Sequence, residues 1–337
     1  MKKIIYILLV FFFVVLSFFI ILEEIYYEEI EMNFINKNTQ LHGKLILPKI
    51  KKQSYPLLVF VHGDGAMPYD AYGYYHSLWN ALSKNGIASY SWDKAGVENS
   101  SGNWQEQSME DRAQEVISAI SMLNKNANIN KIGLIGFSQA GWVIPEVSSK
   151  LNSHDFTILV SGAINWMEQG SFMTKLSLLK QHYSKREIND ILEKNKKQTQ
   201  ILSAQSYEEY LKSNTNTYKV LSKNRFDFIK LNWKSDATKN LKYIQTPTLA
   251  IFGSDDQNVN ISNTMKVYKE EFLKANNNNL KIKIFKDAQH SLLKSRYFDE
   301  QNPGLWFLIK IWFLGEEAFV EGYNQLIVDW TTKWTEK

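Results

Sequence analysis

The chain has 337 residues, 44% of them hydrophobic and 14% aromatic, so it can bury a full-sized core as one large domain or two smaller ones. The formal net charge is only +4, and lysines alternate with acidic residues in runs such as SKREINDILEKNKK, which excludes a basic face for nucleic acid. The chain has no cysteine, which excludes disulfides, thiolate catalysis and cysteine-ligated metals. We therefore expect neither a nucleic-acid partner nor a metal or other cofactor.

The first predicted element is an apolar segment at the N-terminus. Two lysines precede an apolar run from Ile4 to Leu22, which at helical rise would span roughly 29 Å, about one bilayer core. The run continues into Glu23 without the small residues of a signal-peptide cleavage site. It predicts a transmembrane anchor within residues 1–30 and, because positive charge stays cytoplasmic, a single-pass membrane protein whose main domain, residues 31–337, is extracytoplasmic. The alternative is a cleaved signal peptide and a secreted protein.

Strand and helix patterns alternate along the main domain. The stretch MNFINKNTQLHGKLILPK predicts a hairpin of extended segments. Apolar runs without the alternation of a half-exposed strand then predict strands buried on both faces, at 57–61, 87–91, 132–136, 157–160, 248–252 and 281–285. Ser108 and Asp111 form a capping-box pattern that begins an amphipathic helix between two of these runs. The sequence predicts an α/β fold, with a mostly parallel sheet and helices on both faces.

Residues from about 166 to 243 interrupt this alternation. They are polar and helical in pattern, with further capping boxes at Ser184/Glu187 and Ser206/Glu209. We interpret them as a helical cap inserted into the domain.

The run at 132–136 ends in a serine turn that needs a separate explanation. Gly136, Phe137 and Ser138 lead directly into a helical pattern that starts near Gly141. In a parallel sheet such a strand–turn–helix unit lifts its serine above the sheet edge. A serine hydroxyl becomes a useful nucleophile when a base takes its proton and an acid orients that base. Ser138 is therefore our candidate nucleophile.

The base and the acid should follow later strands. His290 is the candidate base, because it alone among the six histidines comes after the acid candidates, on a loop that follows the run at 281–285. Asp255 and Asp256 both follow the run at 248–252, and since adjacent residues in a tight loop point apart, only one of them can face the histidine. The residues alone do not choose between them, and Asp287, on the histidine's own loop, is a less favoured third candidate.

Acyl transfer also needs hydrogen-bond donors for the oxyanion. The backbone amide of Gln139, directly after the candidate nucleophile, is the first donor. The loop after the run at 57–61 should supply the second, with the amide of Asp64 preferred over that of Gly65. His62, at the end of that run, is expected to support the loop.

Four tryptophans fall near loops above the predicted sheet and are candidates for an apolar substrate pocket, with core packing as the alternative. They are Trp92, Trp104, Trp142 and Trp166.

Over residues 40–337 the sequence resembles the α/β-hydrolases, nearest to the bacterial esterase, dienelactone-hydrolase-like and serine-aminopeptidase-like branch. The resemblance rests on LHGKLILP, HGDG, YSWDKAGVENSSGNW, GFSQAGWVIP and the spacing Gly-x-x-Asp-x-x-Val at 253–259. This spacing implies Asp256 rather than Asp255 as the acid. One departure matters: Asp64 places a carboxylate beside the oxyanion loop, where it would oppose a developing negative charge unless it points away or is paired.

The resemblance implies a serine hydrolase that cleaves a carboxylic ester of a small or medium acyl substrate through a covalent acyl-enzyme, using Ser138, Asp256 and His290. Thioesterases, peptidases and acyltransferases use the same triad and stay open as alternatives. A non-catalytic ligand-binding protein on the same fold is the competing class, although such proteins usually lack a triad member.

Overall fold

The computed structural model describes residues 3, 5–7, 9–11, 24–126, 128–151, 154–214 and 220–336. The strands within these ranges are Tyr27–Glu31 (β1), Phe34–Asn36 (β2), Thr39–Leu41 (β3), Gly43–Pro48 (β4), Tyr55–Val61 (β5), Ala88–Trp92 (β6), Ile129–Phe137 (β7), Phe156–Val160 (β8), Thr248–Gly253 (β9) and Leu280–Phe285 (β10). The helices that surround the strands are His76–Lys84 (α1), Met109–Asn126 (α2), Ala140–Lys150 (α3), Trp166–Lys180 (α4), Lys185–Ala204 (α5), Tyr207–Ser213 (α6), Lys223–Asn232 (α7), Thr238–Leu241 (α8), Ile261–Lys274 (α9), Phe307–Leu314 (α10) and Tyr323–Thr335 (α11). Short 3₁₀ helices cover Trp104–Glu106 and Gly315–Ala318.

The main sheet has the strand order β1-β4-β6-β5-β7-β8-β9-β10, and β2 and β3 form a separate hairpin. Strands β5 to β10 pair in parallel, whereas β4 pairs antiparallel with both β6 and β1. The predicted hairpin and the mostly parallel sheet are confirmed. The chain runs from β5 to β6 on one side and then crosses to β7 on the other side of β5. The loops after β5 and β7 therefore lie at a point where the strand order reverses, which is where open α/β sheets bind ligands.

Each face of the sheet carries its own hydrophobic core. Leu57 and Val59 of β5 pack in one core with residues of α2, α3 and α9, whereas Leu58 and Phe60 pack in a second core with α1 and α11. Successive side chains of a strand point to opposite faces. The helices predicted on both faces are therefore confirmed.

The predicted capping boxes are also present. At the start of α2 the Ser108 hydroxyl accepts a hydrogen bond from the Asp111 amide at 3.0 Å, and the Asp111 carboxylate accepts one from the Ser108 amide at 3.1 Å. The same reciprocal pairs begin α5 and α6. Each box satisfies two amides that have no partner inside their own helix.

The structure corrects the prediction for the N-terminal segment. In the described part of the chain, no helix is long and apolar enough to cross a membrane. The remainder of the predicted run, residues 4, 8 and 12–22, lies outside the described residues. The prediction of a single-pass membrane protein with an extracytoplasmic domain is therefore wrong for the part that can be tested. The sheet itself begins at Tyr27, because β1 pairs with β4.

Helices α4 to α8 lie between β8 and β9, and the chain enters and leaves this segment at one place. The Ala237 amide donates to the Ile164 carbonyl at 2.8 Å, and the Trp166 amide donates to the Ser235 carbonyl at 3.0 Å. These two hydrogen bonds form the neck of the segment.

Candidate active site

Ser138 occupies a strained turn between β7 and α3. Its φ is +50°, in the left-handed region that residues other than glycine rarely adopt. The Ser138 amide donates to the Val160 carbonyl at the end of β8 at 2.9 Å, and the Ala163 amide donates to the Ser138 carbonyl at 3.2 Å. The neighbouring strand therefore holds the turn in a conformation that it would not keep alone.

Gly141 allows α3 to lie directly on the chain that follows β8. A Cβ atom at this position would lie 2.6 Å from the carbonyl oxygen and 2.7 Å from the amide nitrogen of Ala163. These are backbone atoms that cannot swing away, so only glycine fits. This close approach explains why a glycine follows the serine turn.

The structure brings His290 and Asp256 together. His290 Nδ1 lies 2.9 Å from Asp256 Oδ2, and the aspartate side chain is fully buried. The other carboxylate oxygen accepts hydrogen bonds from the amides of Asn258 and Val259 at 2.8 and 2.9 Å. The loop after β9 thus fixes the carboxylate, and the carboxylate fixes the orientation of the imidazole.

The other two acid candidates, Asp255 and Asp287, lie at the surface and have other partners. Asp255 accepts hydrogen bonds from the hydroxyls of Ser254 at 2.8 Å and Ser295 at 2.6 Å. Asp287 is exposed, and its carboxylate lies 4.0 Å from Lys286 Nζ. The structure pairs neither of them with His290.

The surroundings of His290 favour its protonated form. Burial lowers its pKa, but the charge and hydrogen bond of Asp256, together with the more distant charge of Glu300, raise it, and the net pKa is above the ordinary value of histidine. The backbone of the histidine is also held, because the Ser161 hydroxyl donates to the His290 carbonyl at 2.6 Å. An imidazole oriented by a buried carboxylate in this way suits a general base.

The two predicted oxyanion donors have no hydrogen-bond partner within the described residues. Among the hydrogen bonds of the described residues, none uses the backbone amide of Asp64 or of Gln139. The Asp64 carboxylate is paired: Oδ1 accepts a hydrogen bond from Gln139 Nε2 at 2.9 Å, and Oδ2 lies 3.9 Å from Arg225 Nη1. Its negative charge is thus partly offset, which reduces the conflict that the sequence raised.

A cavity of about 300 Å³ opens beside the candidate nucleophile. Its walls include Ser138, Trp142, Trp166, Met173 and Arg225. The two tryptophan rings are stacked with centroids 5.4 Å apart. The cavity therefore has an apolar wall of stacked rings and a cationic group on the side of helix α7.

The other two candidate tryptophans, Trp92 and Trp104, are not among the described residues that line this cavity. Trp92 is buried, and its carbonyl oxygen accepts a hydrogen bond from His62 Nε2 at 2.7 Å. Trp104 packs edge-on against Phe228 with centroids 5.2 Å apart. His62 also contacts the Tyr75 hydroxyl through Nδ1 at 3.0 Å, and burial lowers its pKa to about 3, so it is a neutral residue that supports the loop after β5.

Sequence reasoning missed several residues around the site. Ser161 holds the backbone of His290, Glu300 accepts hydrogen bonds from the Ser291 amide at 3.0 and 3.2 Å, and the buried Arg112 donates to the side chain of Gln139. Of these residues, only Arg112 could have been noticed in the sequence, because it is a charged residue next to the apolar face of a predicted amphipathic helix. Within the described residues, no group of three or more histidine, aspartate or glutamate side chains could hold a metal ion.

The chain is similar to known hydrolases in sequence pattern and in fold. A family model described as serine aminopeptidase, S33, matches residues 52–296. An esterase from Pyrococcus furiosus superposes with a TM-score of 0.60 at 15% identity, covering 92% of this chain and 92% of that chain. Est1E from Butyrivibrio proteoclasticus, solved with ferulic acid bound, superposes with a TM-score of 0.57 at 11% identity, covering 91% and 100% of the two chains.

A third similar structure is the α/β hydrolase GrgF from Penicillium sp. sh18, with a TM-score of 0.56 at 16% identity and coverage of 92% and 99%. At these identities the likeness extends to the fold alone. No curated protein sequence matches the chain.

Proposed function

Because the chain belongs to the serine aminopeptidase S33 family of α/β-hydrolases, we propose that it is a serine hydrolase that cleaves a carboxylic ester. The observation that carries the proposal is the 2.9 Å contact of His290 Nδ1 with the buried Asp256 carboxylate. Ser138, Asp256 and His290 follow parallel strands β7, β9 and β10, so all three lie at the same edge of the sheet. The stacked tryptophans beside Ser138 favour a small or medium acyl group.

The reaction would run through an acyl-enzyme. His290 takes the proton of the Ser138 hydroxyl as the oxygen attacks the ester carbonyl, and Asp256 stabilises the imidazolium that forms. The amides of Gln139 and Asp64 bind the oxyanion. His290 returns the proton to the leaving alcohol, and a water molecule activated by the same histidine then hydrolyses the acyl-enzyme.

We also propose that residues 166–243 act as a cap over the pocket. In support, α4 contributes Trp166 and Met173 to the cavity and α7 contributes Arg225. Thioesterase and acyltransferase activity would use the same machinery. An aminopeptidase is the second candidate, favoured by the description of the family, whereas the esterases among the similar structures support an ester.

The test combines a covalent probe with two substrate classes. We expect a fluorophosphonate to label the wild-type protein and not Ser138→Ala, and the wild type to hydrolyse 4-nitrophenyl acetate faster than leucine 4-nitroanilide. Circular dichroism should be unchanged in the variant, because Ser138 lies on a turn. Labelling of Ser138→Ala at the wild-type rate would exclude this serine as the nucleophile, and faster cleavage of the anilide would favour the aminopeptidase.

A further inference from the structure

Two buried cations near the site have no part in the proposed mechanism. Lys94 follows β6 and is 1% exposed, and Arg112 lies in the first turns of α2 and is 4% exposed. Burial, followed by the charge of Arg112, lowers the pKa of Lys94 well below its ordinary value, while Asp64 and Glu115 oppose that shift. Buried cations destabilise a fold unless they are well bonded, so the groups they bind indicate their role.

Both cations bind the backbone of the loop after β5. Arg112 Nη2 donates to the His62 carbonyl at 2.6 Å, and Lys94 Nζ donates to the next carbonyl, that of Gly63, at 3.1 Å. The Lys94 amide also donates to the Met67 carbonyl at 3.0 Å. Two successive carbonyl groups, and the far end of the same loop, are therefore fixed by these residues.

Holding the Gly63 carbonyl also sets the direction of the Asp64 amide. The two groups belong to one planar peptide unit, in which the C=O and N–H bonds of a trans peptide point in opposite directions. Gly63 and Gly65, which flank Asp64, have no side chains to prevent this unit from rotating, and Gly65 already has a φ of +96°. A cation on the carbonyl side therefore keeps the N–H on the opposite side.

This peptide unit lies against the candidate nucleophile. A Cβ atom built on Gly63 would lie 3.5 Å from the Cβ atom of Ser138 and 3.4 Å from the Phe137 carbonyl oxygen. Arg112 also contacts the residue that carries the other proposed donor, because its Nη1 donates to the side chain of Gln139. One guanidinium thus contacts both segments that carry the proposed oxyanion donors.

We propose that Lys94 and Arg112 are positioning residues that keep the Gly63–Asp64 peptide turned with its N–H toward the oxyanion. This inference rests on the proposed hydrolase function. Without the Lys94 ammonium, the peptide unit between two glycines can rotate and present its carbonyl oxygen where the N–H should be. That orientation would repel the oxyanion and leave substrate binding in the ground state almost unchanged.

The test compares Lys94→Met, which keeps the length of the side chain and removes its donors, with Lys94→Arg, which restores a donor. The control is Lys44→Met, since Lys44 is a partly buried lysine of β4 that binds Glu29 at 2.7 Å, in a strand separated from β5 by β6. We would measure kcat and KM for 4-nitrophenyl acetate and the inhibition constant of a trifluoromethyl ketone, which forms a tetrahedral adduct with the serine. Thermal unfolding of each variant is followed in parallel.

We expect Lys94→Met to lower kcat by about 10- to 100-fold, somewhat less than the loss of an oxyanion donor itself, with KM nearly unchanged. The ketone should bind more weakly by a similar factor, Lys94→Arg should recover part of both losses, and Lys44→Met should change neither. Where Lys94→Met does not fold, Arg112→Lys replaces it, with the same direction expected in kcat and ketone binding.

Two results would overturn the inference and leave the hydrolase proposal standing. One is a wild-type kcat and ketone affinity in a folded Lys94→Met or Arg112→Lys variant. The other is a loss of kcat that Lys44→Met reproduces at equal loss of thermal stability, which would indicate a purely structural role. A wild-type protein that neither hydrolyses the ester nor reacts with a fluorophosphonate would overturn the hydrolase proposal and this inference with it.

Discussion

Two neighbouring aspartates in the loop after β9 have different environments, and this difference leads to a prediction. Asp256 is buried against His290, whereas Asp255 binds two serine hydroxyls at the surface. We expect Asp256→Asn to lower kcat by about four orders of magnitude, because an amide stabilises neither the required tautomer nor the imidazolium. Asp255→Asn is the matched control and should change kcat only a few-fold. Ester hydrolysis assays compare them, and the reverse ranking would assign the acid to Asp255.

The raised pKa of His290 predicts the pH dependence of the reaction. The histidine acts as a base only when it is neutral, so kcat/KM should fall as the pH decreases through a pKa above about 6.5. The effect on stability has the opposite sign: the ion pair with Asp256 stabilises the fold below the pKa of the unfolded histidine, and this stabilisation disappears as the pH rises through the folded pKa.

The charge of Glu300 contributes to this raised pKa, so its removal tests the electrostatic account. Glu300→Gln should shift the acidic limb of the kcat/KM profile to lower pH and leave the plateau in place. A wild-type limb at or below the ordinary histidine value, or a limb that moves upward in Glu300→Gln, would contradict the electrostatic account.

At the scale of single residues, the sequence predicted those side chains whose role follows from chain order. Ser138 and His290 could be proposed because each follows a recognisable apolar strand, whereas the choice of Asp256 over Asp255 needed the spacing that the family resemblance implies. The partners of Lys94 and Arg112 could not be predicted, because both residues bind backbone carbonyl groups that lie far away along the chain, and no pattern of residue types records such a partner.

At the scale of secondary structure, burial decided what could be predicted. Strands β5 to β9 are buried along most of their length, and their predicted bounds lie within two residues of those observed, except that β7 begins three residues earlier, at Ile129. β1 was not predicted, because its sequence YEEIE is mostly exposed and charged, and its strand conformation depends on pairing with β4 at the edge of the sheet. The edge pairing is a tertiary effect that local sequence does not contain.

Two helical glycines offer a test of how closely the elements pack. In Gly141→Ala the new methyl group would meet backbone atoms of Ala163 at 2.6 and 2.7 Å, so we expect a loss of stability of about 1–3 kcal/mol or more, together with lower activity from a displaced turn. In Gly170→Ala nothing lies within 4 Å of the new atom, and the substitution should stabilise α4 by about 0.5–1 kcal/mol. Urea unfolding measures both, and equal effects would contradict the close approach of α3 to β8.

At the scale of the whole molecule, the proposed cap joins the sheet domain through a narrow neck. The Ile164–Ala237 and Trp166–Ser235 hydrogen bonds close the segment at its base, so the chain could be shortened there with its ends already side by side. Removal also has a cost, because Phe228 of α7 is fully buried and packs against Trp104 and Trp166. A variant without the cap should therefore be less stable but still contain the triad and both oxyanion donors.

Replacement of residues 168–233 by a short glycine–serine linker tests the role of the cap directly. Ser138 should stay reactive to a small fluorophosphonate, because the catalytic groups lie outside the removed segment, and hydrolysis of 4-nitrophenyl acetate should persist. Discrimination between acetate, butyrate and octanoate esters should weaken, because Met173 and Arg225 leave the wall of the cavity and less surface contacts the acyl chain. The ratios of kcat/KM along this ester series measure the change. An unaltered series in a variant that still reacts with the probe would assign chain-length selection to Trp142 and Trp166, which the shortened chain retains.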